Sequence, residues 1–174
     1  MKVFRCRICG DPYLGEEPPT NCPFCGAPTK YIVLASFWEE PIVTNISEKS
    51  RENLMSAMQL EVDNIRFYKC AAEMTDDREG RQMFRALSKI EGEHATLISK
   101  LLHIEKPTVS LDKIACYPSY QENLMDAKAR EEKAIKEYGK FFQESKEPRI
   151  KEIFQALVQI ESDHLTLNEE RIKK

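Results

Sequence analysis

Two short stretches carry the residue types and the spacing for metal chemistry. Glu91-Gly92-Glu93-His94 places a carboxylate and an imidazole three residues apart, and Glu161-Ser162-Asp163-His164 repeats the arrangement seventy residues later. Residues three apart on a helix lie one turn apart on one side, so each Glu and its His point together. Facing each other, two such pairs offer a mixed oxygen and nitrogen cage suited to iron or manganese. A second set, Cys6-x-x-Cys9 and Cys22-x-x-Cys25, brings four thiols together at the N-terminus. Four thiolates at this spacing read as a tetrahedral metal site, open to zinc or to iron.

Helices must position the first set. Leu54, Ala57, Met58, Glu61, Ile65 and Tyr68 recur at helical spacing, so Glu61 stands inside an apolar stripe. A carboxylate there must be protonated, paired or bound to metal. The first helix starts near Ser47 or Ser50 and runs to about Met74. The second spans roughly Arg78 to Leu102, with Asp76-Asp77 marking its start. Ser119-Tyr120-Gln121-Glu122 is a capping box opening a third helix to about Ser145, and Pro148 opens a fourth to about Ile172. Residues 103 to 118 contain Pro107 and Pro118 and show no sustained period, which suits a crossover along a bundle.

The halves align without a gap at an offset of seventy. Asn53-Leu54-Met55-Ser56-Ala57 matches Asn123-Leu124-Met125-Asp126-Ala127, Glu61 falls on Glu131, Tyr68 on Tyr138, Glu91 on Glu161 and His94 on His164. One Glu from each of two helices, with Glu-x-x-His from each of the other two, is the donor set of a di-iron carboxylate bundle. Bridging falls to Glu91 with Glu161, or to Glu61 with Glu131. Tyr68 and Tyr138, two turns beyond Glu61 and Glu131, suit either hydrogen bonds to the site or ordinary core packing.

Composition bounds the rest. The chain has 174 residues, 32% of them charged, and a formal net charge of −3, without a basic run of the kind that binds nucleic acid. No apolar stretch approaches the roughly 20 residues that span a bilayer. Because Met1-Lys2-Val3-Phe4-Arg5-Cys6 leads directly into a metal motif, a signal peptide is not expected and a cytoplasmic setting is. Cys70 and Cys116 read as free thiols. The chain divides into a four-cysteine module over 1–35, a linker over 36–46 and a helical bundle over 47–174. In the linker, Pro41 and its β-branched neighbours oppose helix, and Phe37 and Trp38 are expected to pack the module against another surface.

Together these motifs resemble the rubrerythrins, with a rubredoxin-like module placed first instead of last, the reverse arrangement. The resemblance implies a mainly α fold, a ferritin-like four-helix bundle with a small N-terminal metal ribbon. It implies iron at Cys6, Cys9, Cys22 and Cys25, and two irons held by Glu61, Glu91, His94, Glu131, Glu161 and His164. It also implies reduction of hydrogen peroxide in oxidative-stress defence, an upstream reductase as electron donor, and a homodimer in which one chain's rubredoxin-like centre serves the other's di-iron site. Typical members carry a further Glu three residues after the third-helix ligand. Here that position is Ala134, and its counterpart in the first helix is Asn64. Glu132 is rotated about 100° away from Glu131. The site is therefore closer to the six-ligand set of bacterioferritin, which brings in iron oxidation and handling, or oxygen reduction, as the alternative function. A zinc-ribbon interaction module on a helical bundle is the third reading.

Overall fold

A computed structural model describes residues 1–41, 43, 45–109 and 116–173. Strands β1 (Lys2–Cys6), β2 (Pro12–Gly15) and β3 (Ile32–Leu34) form an antiparallel sheet in the order β2-β1-β3. Four helices follow: α1 (Glu48–Met74), α2 (Arg78–Leu102), α3 (Tyr120–Glu144) and α4 (Pro148–Ile172). The fold is thus a four-helix bundle behind a small N-terminal β module. Among the described residues, no helix is long and apolar enough to cross a membrane.

Local sequence sets the helix ends. Ser47, Asp77 and Ser119 cap α1, α2 and α3 by accepting the backbone N–H of Ser50, Gly80 and Glu122. Pro148 occupies the first turn of α4, where no N–H is required. The expected crossover between α2 and α3 lies partly outside the described residues. Its described ends, 103–109 and 116–119, contain neither helix nor strand.

Two core clusters flank the bundle centre. Tyr138, Phe141 and Phe154 pack at one end, and Phe67, Tyr68 and Phe84 at the other. The β module docks laterally on α2 and α4. Arg149 donates to the Ile8 carbonyl at 3.0 Å, Asn21 donates to Asp163 at 3.2 Å, and Arg7 pairs with Glu152 at 3.3 Å. The linker aromatics do less than expected. Phe37 is 76% exposed, and Trp38 folds back beneath the Arg5 guanidinium of its own module, 3.5 Å from the ring centroid.

The cysteine expectation is corrected. Cys70 on α1 and Cys116, where the chain enters α3, form a disulfide across 46 positions, with Cα atoms 6.0 Å apart. The two lie far apart in the chain and meet only in the tertiary structure, so neither helical periodicity nor local spacing could pair them. By the chain-entropy relation, closing a loop of this length contributes up to about 4 kcal/mol. Cys116→Ser, or reduction with a dithiol, is therefore expected to lower the urea midpoint of the metal-free protein. An unchanged midpoint would mean that the bridge contributes nothing to stability.

Candidate metal centres

The four cysteines converge at one end of the β module. Cys6 and Cys25 sulfurs lie 3.7 Å apart and Cys9 and Cys22 sulfurs 3.8 Å apart, and all four fall within 4.8 Å of one another. A regular tetrahedron with metal–sulfur bonds of about 2.3 Å has edges of about 3.8 Å, so the cluster already has the dimensions of such a site. Gly10 and Gly26 make the two turns possible, with φ of 87° and 76°. The Ile8 and Asp11 amides point at the Cys6 and Cys9 sulfurs at 3.4 and 3.5 Å. The cluster fits a rubredoxin-type iron site.

Near the middle of the bundle, α1 to α4 supply Glu61, Glu91 with His94, Glu131, and Glu161 with His164. Five of the six are fully buried or nearly so, and His164 is 6% exposed. They form two overlapping groups: Glu61, Glu91, His94 and Glu161, and Glu91, Glu131, Glu161 and His164. Glu91 and Glu161 belong to both. Each of the four carboxylates keeps one buried oxygen without a hydrogen-bond partner. A buried charge-bearing oxygen without a partner is costly, and four of them facing one centre match the needs of two divalent cations. The buried Glu and His set fits a di-iron site.

Both imidazoles turn Nδ1 inward. His94 Nδ1 lies 3.0 Å from Glu91 and 3.5 Å from both Glu61 and Glu161, while His164 Nδ1 lies 2.9 Å from Glu161 and 3.4 Å from Glu91. The outer nitrogens differ. His94 Nε2 donates to the Cys25 carbonyl at 2.9 Å, because that oxygen can only accept. This bond fixes the ring with Nδ1 toward the carboxylates.

The tyrosines reach across the bundle. Tyr68 on α1 donates to Glu131 on α3, and Tyr138 on α3 donates to Glu61 on α1 at 2.5 Å. The two pairs advance in opposite directions along the chain, so α1 and α3 run antiparallel. The tyrosines are also core aromatics, with both rings wholly buried. Both alternatives open in the sequence therefore hold at once. Ala134 and Asn64 are buried where a seventh carboxylate would have to stand, while Glu132 points outward to Lys128 at 2.8 Å.

A model of the family described as Rubrerythrin matches residues 52–172, and one described as Rubrerythrin, rubredoxin-like domain matches residues 4–32. The chain belongs to the rubrerythrin family. Reverse rubrerythrin-1 of Clostridium acetobutylicum is 28% identical over 114 residues, covering 59% of this chain. The alignment spans 62% of that relative's length. No solved structure matches the chain. The rubredoxin-like domain precedes the ferritin-like one, the reverse of the usual rubrerythrin order.

Without metal, protons offset part of the crowding. Burial pushes Glu61 up to about 8, reinforced by Glu91 and Glu161 against the pull of His94. Burial and the Glu161 and Glu91 charges push Glu131 well above the usual range. Burial opposes a charged imidazole, yet the adjoining carboxylates raise both His94 and His164. Glu91 goes the other way: the nearby His164 and His94 imidazoles outweigh its burial and hold it ionised. Metal can bind only as Glu61, Glu131 and the two Nδ1 atoms lose their protons. Adding ferrous or zinc ion to the metal-free protein at pH 7 is therefore expected to release protons, with affinity rising as pH climbs through about 8. Calorimetry in buffers of different ionisation enthalpy measures this, and a buffer-independent heat would contradict it.

Proposed function

We propose that this rubrerythrin-family chain is a non-haem di-iron peroxidase, reducing hydrogen peroxide with electrons that enter through the four-cysteine site. The observation that carries the reading is the hydrogen bond from His94 to the Cys25 carbonyl. One residue would hold the four-cysteine metal through its sulfur, and it touches an imidazole of the bundle site through its own backbone oxygen. The covalent path from that sulfur to His94 Nδ1 is interrupted by a single hydrogen bond.

In this reading Glu61 and His94 would hold one iron and Glu131 and His164 the other, and Glu91 and Glu161, which belong to both groups, would serve the two together. Two irons there would supply the two electrons and the Lewis acidity with which hydrogen peroxide, taking up two protons, leaves as two waters. Tyr68 and Tyr138 orient the terminal carboxylates. Burial and the neighbouring Glu131 or Glu61 charges hold both phenols protonated through the neutral range. The β module meets both imidazoles, His94 through the Cys25 carbonyl and His164 through the Gly26 turn, and His164 keeps a slight exposure of 6%.

The contact between the two sites is made within one chain. Electron transfer between the chains of a homodimer is thus not required by this geometry, and we propose transfer in cis. The symmetric six-residue set, with Ala134 in place of a seventh carboxylate, favours a second reading, ferrous iron oxidation. The two separate experimentally. Anaerobically reduced, iron-loaded protein is expected to be reoxidised much faster by peroxide than by oxygen, with little turnover of added ferrous iron. Reoxidation by oxygen at an equal or greater rate, with catalytic oxidation of added iron, would favour the second reading.

Tyr68→Phe tests the positioning role. Removing a hydrogen bond that orients a metal ligand typically weakens metal binding about 10- to 100-fold. Chelator competition on Tyr68→Phe should show a loss in that range, with the four-cysteine site unaffected. Wild-type affinity in this variant would leave Tyr68 a packing residue only.

A further inference from the structure

The chain holds cysteines in two redox states. Cys6, Cys9, Cys22 and Cys25 are free thiols, whereas Cys70 and Cys116 are joined. A metal in four cysteines is bound by thiolates, so that site can form only where thiols are kept reduced. In such surroundings a disulfide is characteristically one that is made and broken. Cys70 and Cys116 are each half-buried, which leaves them within reach of small oxidants and reductants.

The position of the bond gives it a consequence. α1 packs mainly on α2, and α3 mainly on α4. The buried centre divides the same way, with Glu61, Glu91 and His94 on the first helix pair and Glu131, Glu161 and His164 on the second. At one end the two pairs are clasped by Glu147, which accepts the Ser47 N–H and the Ser50 hydroxyl. At the other end the clasp is Cys70–Cys116. Hydrogen bonds from Asn123 to Thr75 at 2.7 Å and from the Tyr120 N–H to Asp76 at 3.0 Å back it, so the pairs stay docked when the sulfurs part. Cys70 stands two residues beyond Tyr68, and Cys116 packs against the cluster that contains Phe67, Tyr68 and Phe84. Tyr68 in turn donates to Glu131 on the other pair. The covalent clasp therefore bears on the tyrosine that orients a carboxylate of the centre.

We propose that Cys70 and Cys116 form a second, metal-independent peroxide-reactive site, a dithiol whose closure to the disulfide tightens the bundle's hold on its metals. The proposal rests on the peroxidase reading only in naming hydrogen peroxide as the oxidant that the molecule meets. One sulfur, as thiolate, attacks a peroxide oxygen. The O–O bond breaks, a sulfenic acid forms, and the departing hydroxide takes up a proton and leaves as water. The second thiol then displaces the sulfenic hydroxyl, which leaves with that thiol's proton as a second water. The two sulfurs together give up the two electrons that the peroxide gains. Glutathione reverses the step by thiol–disulfide exchange. The centre is thus held hardest when peroxide is abundant.

The full chain, reduced and carrying zinc at the four cysteines with no iron in the bundle, is treated with hydrogen peroxide. A cross-linked Cys70–Cys116 tryptic peptide is expected, with one peroxide consumed per bond. A double variant, Cys70→Ser with Cys116→Ser, accounts for oxidation elsewhere. A reducing glutathione buffer is expected to reopen the bond. Manganese, which prefers carboxylate and imidazole to thiolate, then reports on the bundle centre by electron paramagnetic resonance. Losing the support of a metal ligand weakens binding about 10- to 100-fold, so the dithiol form and the double variant should bind manganese at least about tenfold more weakly than the disulfide form. In Tyr68→Phe, where the hydroxyl link is already gone, closing the bond should no longer change the affinity. A bond that peroxide does not form, or that glutathione does not open, would overturn the proposal and leave a permanent bridge. Equal manganese affinity in the two forms, or an equal gain with and without the Tyr68 hydroxyl, would also overturn it. Since iron is absent throughout, these outcomes are independent of whether the iron-loaded centre is a peroxidase.

Discussion

The structure is built around the burial of four carboxylates at one point. Bringing Glu61, Glu91, Glu131 and Glu161 out of water would be prohibitive if each were left ionised and alone. Two imidazoles, two phenols and, without metal, a set of protons share that load. The apolar layers at either end keep water out and so strengthen every interaction inside. The same crowding that destabilises an empty centre makes it strongly receptive to divalent cations. Stability and metal affinity are here two consequences of one charge distribution.

An approximate two-fold relates the halves, and the departures from it are as informative as the agreement. Tyr68 with Glu131 mirrors Tyr138 with Glu61, and the Glu-x-x-His pairs mirror each other across α2 and α4. The β module breaks the symmetry, because a single module can meet only one imidazole in this way. His94 donates to the Cys25 carbonyl, while His164 is approached by the Gly26 turn. A methyl group at Gly26 would come within 3.1 Å of Ile160 and 3.9 Å of His164 Nε2. With its positive φ, that residue meets two demands for glycine at once. Two chemically similar halves thus acquire different outer surroundings, one hydrogen-bonded to the four-cysteine module and one slightly nearer solvent.

Most of the bundle was legible in the sequence, because what fixes it is local. Ser47, Asp77, Ser119 and Pro148 announce helix starts through their own backbone chemistry, and the buried stripes follow from period alone. The six bundle residues were legible for another reason: one offset of seventy relates them all, and surface residues have no cause to obey it. Pairings across the bundle were not legible. The destination of the Tyr68 hydroxyl depends on the antiparallel register of α1 and α3, and the Cys70–Cys116 bridge on where the start of α3 lies against α1. Neither quantity leaves a period or a spacing in the sequence. Trp38 shows the converse failure, since an aromatic in a linker suggests docking but does not say on what, and here it turns back to Arg5.

The reversed order of the two domains also has a physical reading. What joins the metal sites is a carbonyl oxygen and an imidazole N–H, groups that carry no memory of which domain came first. The chain must only deliver the Cys22–Gly26 turn to the face of α2 and α4, and thirteen residues separate Leu34 at the end of β3 from Glu48 at the start of α1. Docking is then fixed by Arg149, Asn21 and Arg7 through hydrogen bonds and charge, and by an apolar seam in which Ile8, Cys22, Cys25, Ala27 and Tyr31 join the core of the bundle. Such a contact orders the two metal sites while leaving Cys9 turned outward. Docking covers Cys25 completely and leaves Cys9 the most exposed of the four cysteines.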